Sequence, residues 1–302
     1  MTGLLIALAA AAGGVAGDPQ QPADRAAAPA SQTLEPTNRS PDPVSLQVTL
    51  VAGAWLPRLG GTAALGTSSA PQIDLQSQLN LDDQEAAPNV ELSIRRHEIW
   101  ELTFSGFGFS TDSQGLFAGS ASFGALLLND GDLFSASFKM TSYAAELSVA
   151  VYCPYAPGSR RASSIDNRAW DGRAVADLRL CPMFGMRWVD VDQSISSGAV
   201  VETGGGEWAA IYGGLAFELE CRPRQNIPLV RTLRLDASAA LGPALGGGGG
   251  AVWQVQAGLT VQLTEWAGVM FGYRLLELDV ESDDYTLNGG LQGLFVAGTL
   301  RF

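Results

Sequence analysis

The chain has 302 residues, 46% hydrophobic and only 16% charged, with a net charge of −13. A typical soluble domain carries about 25% charged residues. So few and so acidic a set of charges offers no basic stripe for phosphates, which excludes nucleic acid as a partner, and nothing that docks on an anionic leaflet.

The opening run MTGLLIALAAAAGGVAG has the length of a signal h-region and a small-residue exit at Val15-Ala16-Gly17, so residues 1–17 are expected to be a secretory signal peptide. Residues 18–43 are Pro/Ala/Gln/Ser with almost nothing to bury and are expected to be a disordered linker. The sequon NRS at Asn38 falls in it and carries little weight. A β-barrel domain is expected over 45–302.

From Ser45 onward the hydrophobic period is two. Ten alternating segments follow in order: 45–57, 88–96, 98–110, 132–152, 174–194, 206–221, 229–243, 251–264, 266–281 and 287–302. In 252–264, Trp253, Val255, Ala257, Leu259, Val261 and Leu263 share one face, and Gln254, Gln256, Thr260 and Gln262 share the other. The alternation changes phase near Ser142, which predicts a bulged strand or a broken one, and slips near Leu276, which predicts a β-bulge. The expected fold is all-β: a closed antiparallel transmembrane barrel of about ten strands, with eight to twelve compatible with the pattern.

Alternation alone leaves the apolar face inside a soluble barrel or outside a membrane barrel. Segment length favours the membrane, since a tilted membrane strand needs ~9–11 residues. The polar faces carry both signs of charge: Glu91, Arg95, Glu101, Lys139, Glu146, Asp177, Arg179, Arg187, Glu218, Glu220, Arg234, Asp236, Arg274, Glu277 and Asp279. These are expected to fill the lumen as an ion-paired network. The tryptophans fall near the two rims and are expected to form aromatic girdles, Trp55, Trp188, Trp208 and Trp253 at one and Trp100 and Trp266 at the other. Connections at one end are arginine-rich (95–98, 158–168, 222–225) and those at the other acidic (81–85, 129–132, 281–284).

The closing segment GLFVAGTLRF resembles the terminal strand of bacterial outer-membrane β-barrels, with Leu294, Val296, Leu300 and Phe302 matching the alternating apolar pattern and final Phe. The stretch 271–302, together with 206–220 and 251–263, is similar to the small OmpA-like or OmpW-like barrels. That resemblance implies an outer-membrane location, contact with outer-membrane lipid, and a C-terminal signal read by the barrel-assembly machinery.

Reactive groups are few. The single histidine, His97, is expected in a solvent-exposed turn at the end opposite a surface active site. Cys153, Cys181 and Cys221 lack zinc spacing, and Cys153 with Cys221 is the expected disulfide if one forms. The pairs Glu218/Glu220 and Glu277/Asp279 suit acid–base work but suit lumen salt bridges far better. The run LGGGGGAV (245–252) lacks the Lys of a phosphate loop, and no metal or cofactor site is expected. Two functions stand side by side: a non-enzymatic barrel with a charge-filled lumen in a structural or surface-interaction role, and a small channel for polar or amphipathic solutes. A soluble secreted barrel binding an apolar ligand is the third reading.

Overall fold

The computed structural model describes residues 46–66, 70–81, 83–96, 99–151, 175–222 and 230–302. The expected signal peptide, linker, His97 and Cys153 lie outside them. Thirteen strands are described: β1 (Leu46–Leu65), β2 (Ile73–Asp74), β3 (Ala87–Arg96), β4 (Trp100–Leu116), β5 (Ala121–Phe123), β6 (Leu126–Leu128), β7 (Leu133–Val149), β8 (Val175–Ser197), β9 (Val200–Arg222), β10 (Thr232–Leu245), β11 (Gly249–Gln262), β12 (Ala267–Glu281) and β13 (Tyr285–Arg301). Ten of them, β1, β3, β4 and β7 to β13, form one antiparallel sheet that β13 closes onto β1. Closure leaves no free sheet edge, so every wall strand is paired on both sides.

Register fixes the size of the barrel. A walk across paired residues runs Val48, Ile94, Leu102, Leu147, Phe184, Gly213, Leu241, Trp253, Glu277, Gly290 and returns to β1 at Gly60. The return lies twelve residues along from Val48 (60 minus 48), a shear of twelve for ten strands. With strands about 4.8 Å apart and a rise of about 3.3 Å per residue, that sets a tilt of about 40° and a backbone radius of about 10 Å.

Leu46 and Phe302 mark one rim, here the terminal rim, where Val48 and Phe302 exchange backbone hydrogen bonds of 3.1 and 2.8 Å. The distal rim carries the connections after β1, β4, β8, β10 and β12. The longest strands, β8 and β9, reach about 58 Å along the axis, nearly twice the ~30 Å of a hydrocarbon core.

The interior has two storeys. Toward the distal rim the inward side chains are apolar: Leu59, Phe107, Phe109, Phe138, Met140, Val191, Ile195, Leu278, Val280, Tyr285 and Leu287 are all buried. Two connections add to them. The β1–β3 connection contributes Ile73, Leu75, Leu79 and Leu81, each fully buried, and the β5–β6 hairpin contributes Phe123, Leu126 and Leu128. All join one continuous buried cluster. The β1–β3 connection is fastened by Gln76 Nε2 donating to the Leu59 carbonyl (2.9 Å) and by Asp74 Oδ1 accepting from the amides of Gln76 and Ser77 (3.0 and 2.6 Å). Toward the terminal rim the inward side chains are polar and charged.

This layering corrects two expectations. Neither Ser142 nor Leu276 marks a bulge: pairing of β7 with β4 and β8, and of β12 with β11 and β13, runs unbroken through both. The backbone keeps its register while the surroundings change. Near the terminal rim β12 points Val269, Phe271 and Tyr273 outward and Arg274 inward; further along it points Leu276, Leu278 and Val280 inward and Glu277, Asp279 and Glu281 outward.

Candidate functional site: the charged lumen and its apolar plug

Alternation along each strand places the lumen groups. Six arginines face inward among the described side chains: Arg95, Arg179, Arg187, Arg234, Arg274 and Arg301. Six carboxylates meet them: Glu91, Glu101, Glu146, Glu218, Glu220 and Asp236. Among the described side chains the two signs are therefore matched in number, which a region shielded from water favours, because an unpaired charge there costs several kcal/mol.

Glu218 is the hub. Arg95 donates to its carboxylate at 2.8 and 3.3 Å, and Arg179 and Arg234 each stand 3.5 Å away. Arg95 reaches Glu101 on the neighbouring strand as well, at 2.5 and 2.8 Å, so one guanidinium ties β3 to β4 and, across the lumen, to β9. Arg234 also donates to Asp236 at 2.6 Å. Arg95, Arg179, Glu218 and Glu220 are all under 9% exposed.

A second group lies further along. Arg187 donates to Ser142 (2.9 Å) and Gln254 (2.6 Å), and stands 3.9 Å from Glu146. Glu146 accepts from Gln254 Nε2 (2.9 Å) and from the Tyr212 hydroxyl (2.6 Å). Gly185 makes the last bond possible: it sits in register between Glu146 and Tyr212, and a Cβ there would lie 2.7 Å from the tyrosine ring. Arg274 marks the boundary between the storeys. It donates to Gln256 (2.8 Å) and Asn89 (2.9 Å) and lies 5.6 Å from the ring centroids of both Trp55 and Phe295.

Three of the expected lumen residues lie elsewhere. Lys139, Glu277 and Asp279 point outward in the distal half of the wall, Lys139 paired in register with Asp192. They fall on the sequence's polar face, but above the boundary that face is the outer one. Asp177 lies on β8, with its side chain outside the described residues. Two expected girdle residues are also corrected. Trp55 and Trp208 are buried inside, at 0% and 1% exposure, where Trp55 packs edge-on against Phe107 at 5.0 Å. Trp188 faces out and stacks on Tyr143 at 5.9 Å; Trp253, Trp100 and Trp266 are exposed at 43%, 49% and 59%. Leu294, Val296, Leu300 and Phe302 all point outward. Cys181 lines the lumen and Cys221 faces outward; the expected partner of Cys221 is outside the described residues. The glutamines at 254 and 256, with Asn89, Ser142 and Tyr212, were legible only as polar positions, because an uncharged side chain gives no sign of its partner.

The outer wall shows what surrounds the barrel. From the terminal rim its outward residues are apolar up to a level at which charges begin. On β1 the run is Leu46 to Leu56, then Arg58; on β4 Trp100 to Gly108, then Asp112 beyond Ser110. On β8 it is Leu178 to Trp188, then Asp190; on β12 Ala267 to Leu275, then Glu277. At the barrel's tilt these runs make a belt about 25 Å tall, the height of the apolar band that a bilayer covers. An apolar belt outside a charged lumen is stable only when hydrocarbon replaces water on the outside. The fold is that of a transmembrane β-barrel.

Above the belt, the transmembrane barrel continues as a distal extension whose inward face is predominantly apolar, with Thr111 and Gln193 among the buried exceptions, and whose outward face carries most of its charges. In the lumen, inward groups of all ten wall strands surround a cavity of about 200 Å³ that reaches the terminal rim.

No family model matches the sequence, and no curated protein does. Among solved structures, the chain is similar to the outer membrane protease OmpT from Escherichia coli: 8% identity, TM-score 0.45, 86% of this chain and 99% of that one. It is similar to Ail, the attachment invasion locus protein of Yersinia pestis, at 12% identity and TM-score 0.30, over 85% and 98%. It is similar also to the P. putida toluene transporter TodX, at 7% identity and TM-score 0.25, over 87% and 90%. At these scores the likenesses carry no argument about activity; the chain's own geometry has to.

Proposed function

We propose that the protein is a plugged, non-enzymatic barrel of the outer membrane, with the terminal rim toward the periplasm and the distal extension at the cell surface in a structural or surface-interaction role. The observation that carries this is the distal apolar plug: Ile73, Leu75, Leu79, Leu81, Phe123 and Leu128 bury themselves across the interior that a solute would have to cross. Water and ions do not enter a packed apolar core, where an unpaired charge is costly. The lumen carboxylates favour the structural role too, since Glu218, Glu101 and Asp236 are held by arginines and Glu146 by Tyr212 and Gln254. The arginine-rich connections at the terminal rim and the acidic ones at the distal rim support the orientation.

Planar-bilayer recording of the refolded chain tests the plug. The wild type is expected to insert without steady openings, while a variant with residues 73–81 exchanged for a Gly/Ser segment conducts. Steady openings of the wild type, unaltered by that exchange, would favour the channel instead.

A further inference from the structure

The part of the lumen nearest the terminal rim holds polar atoms that the protein leaves unsatisfied. Thr299, 6% exposed, has no partner for Oγ1, and Gln262 has none for Nε2. Both residues pair in register with Gly268, Gln262 from β11 and Thr299 from β13. Gly268 sits at an inward position, and a Cβ there would lie 2.9 Å from Thr299 Oγ1 and 3.1 Å from Gln262 Oε1. Glycine at this position is what lets those two side chains, and the Val261 carbonyl oxygen 2.8 Å from such a Cβ, close on the backbone.

Two charged groups border the same cavity. Glu220 is 7% exposed and lines the cavity. Arg301 donates to Gln47 Oε1 at 2.5 Å and lines the cavity as well. A buried donor left without an acceptor is costly, so such groups ordinarily hold water or a ligand.

We propose that this end of the lumen binds a small zwitterion of amino-acid size, its cationic end on Glu220 and its anionic end on Arg301. Thr299 Oγ1 and Gln262 Nε2 supply hydrogen bonds between them. The cavity of about 200 Å³ admits a molecule of a few heavy atoms. A singly charged solute would satisfy one end only and leave the other charged group without a counter-charge. The site is independent of conduction, because it lies on the terminal-rim side of the plug.

Isothermal titration calorimetry of the full chain refolded in detergent, with glycine, L-serine and L-glutamine as probes, tests this. Acetate and methylammonium serve as single-charge controls. At least one amino acid is expected to bind, with both controls at least about tenfold weaker. Glu220→Gln and Thr299→Val should each weaken binding by about tenfold or more, while Ser137→Ala on the outer wall leaves it unchanged. Every variant is first checked for a heat-shifted band on SDS gels, and Gln262→Leu replaces one that fails. Absence of binding by all three amino acids, or undiminished binding by the variants, would mean that ordered water alone fills the space and would overturn the proposal.

Discussion

Removing the Glu218 carboxylate should be among the most damaging single changes in the lumen. Three arginines converge on it, from 2.8 to 3.5 Å, and its side chain is 10% exposed. Glu218→Gln keeps the shape and deletes the charge, leaving the guanidiniums with one carboxylate fewer in a region that water barely reaches. Breaking a buried pair in this way costs about 3–5 kcal/mol. Arg95→Met should cost a similar amount, because it strips partners from both Glu218 and Glu101. The informative quantity is the double-mutant cycle. If the two groups hold each other, the double variant is less damaged than the sum, with a coupling of about 1–3 kcal/mol. Equilibrium urea unfolding from lipid vesicles, read by tryptophan fluorescence, gives all four free energies. Single costs under about 0.5 kcal/mol, or strict additivity, would refute the view of Glu218 as the hub of the lumen.

Three further outcomes follow from the same geometry. Ala257→Arg, in the middle of the outward belt, should cost about 2–4 kcal/mol of stability in lipid, whereas Ser137→Arg on the outer face of the extension should cost almost nothing; unfolding titrations of the two compare them. Leu75→Ala in the plug should cost about 2–5 kcal/mol, measured in the same way, since the site is fully buried. Tyr285 lies in the distal extension, and burial holds its phenol well above the usual value. Above pH of about 10 the unfolded chain releases that proton while the folded one keeps it. Stability is therefore full below that pH and falls as pH rises through it, by up to about 1.4 kcal/mol per unit. Tyr285→Phe should remove that part of the alkaline loss in unfolding titrations at successive pH values.

The strands were largely legible because a period of two survives whichever side is wet. All ten segments are there, longer at the distal ends than the alternation suggested: β1 runs to Leu65 and β9 starts at Val200. Glycine and threonine fill those ends and mute the pattern, as in residues 60–64 and 203–206. What the pattern does not carry is the level at which membrane gives way to water. Crossing it exchanges the apolar and polar faces, and in one sequence that exchange looks the same as a one-residue slip. Hence Ser142 and Leu276 suggested bulges, and Lys139, Glu277 and Asp279 were assigned to the lumen. Trp55 and Trp208 misled for a related reason: they lie close to that boundary, where an indole suits either side of the wall. The plug left a weaker trace. Its apolar residues, at 73, 75, 79 and 81, sit in a connection with only a short strand of its own. The lumen's charged members were visible as polar alternation, but not which arginine meets which carboxylate, because Arg95 and Glu218 stand 123 residues apart.

Each strand keeps one register while its surroundings invert, and a nitroxide scan along β12 separates that arrangement from a slipped strand. Spin labels placed one at a time from 267 to 281, with the barrel in lipid, report collision with oxygen, which concentrates in hydrocarbon, and with a polar nickel complex, which stays in water. Oxygen access should peak at 269, 271, 273 and 275, and nickel access at 277, 279 and 281, with the even positions from 270 to 280 protected from oxygen throughout. Oxygen access at the even positions, or a peak that changes parity near 276, would mean that β12 does not keep a single register.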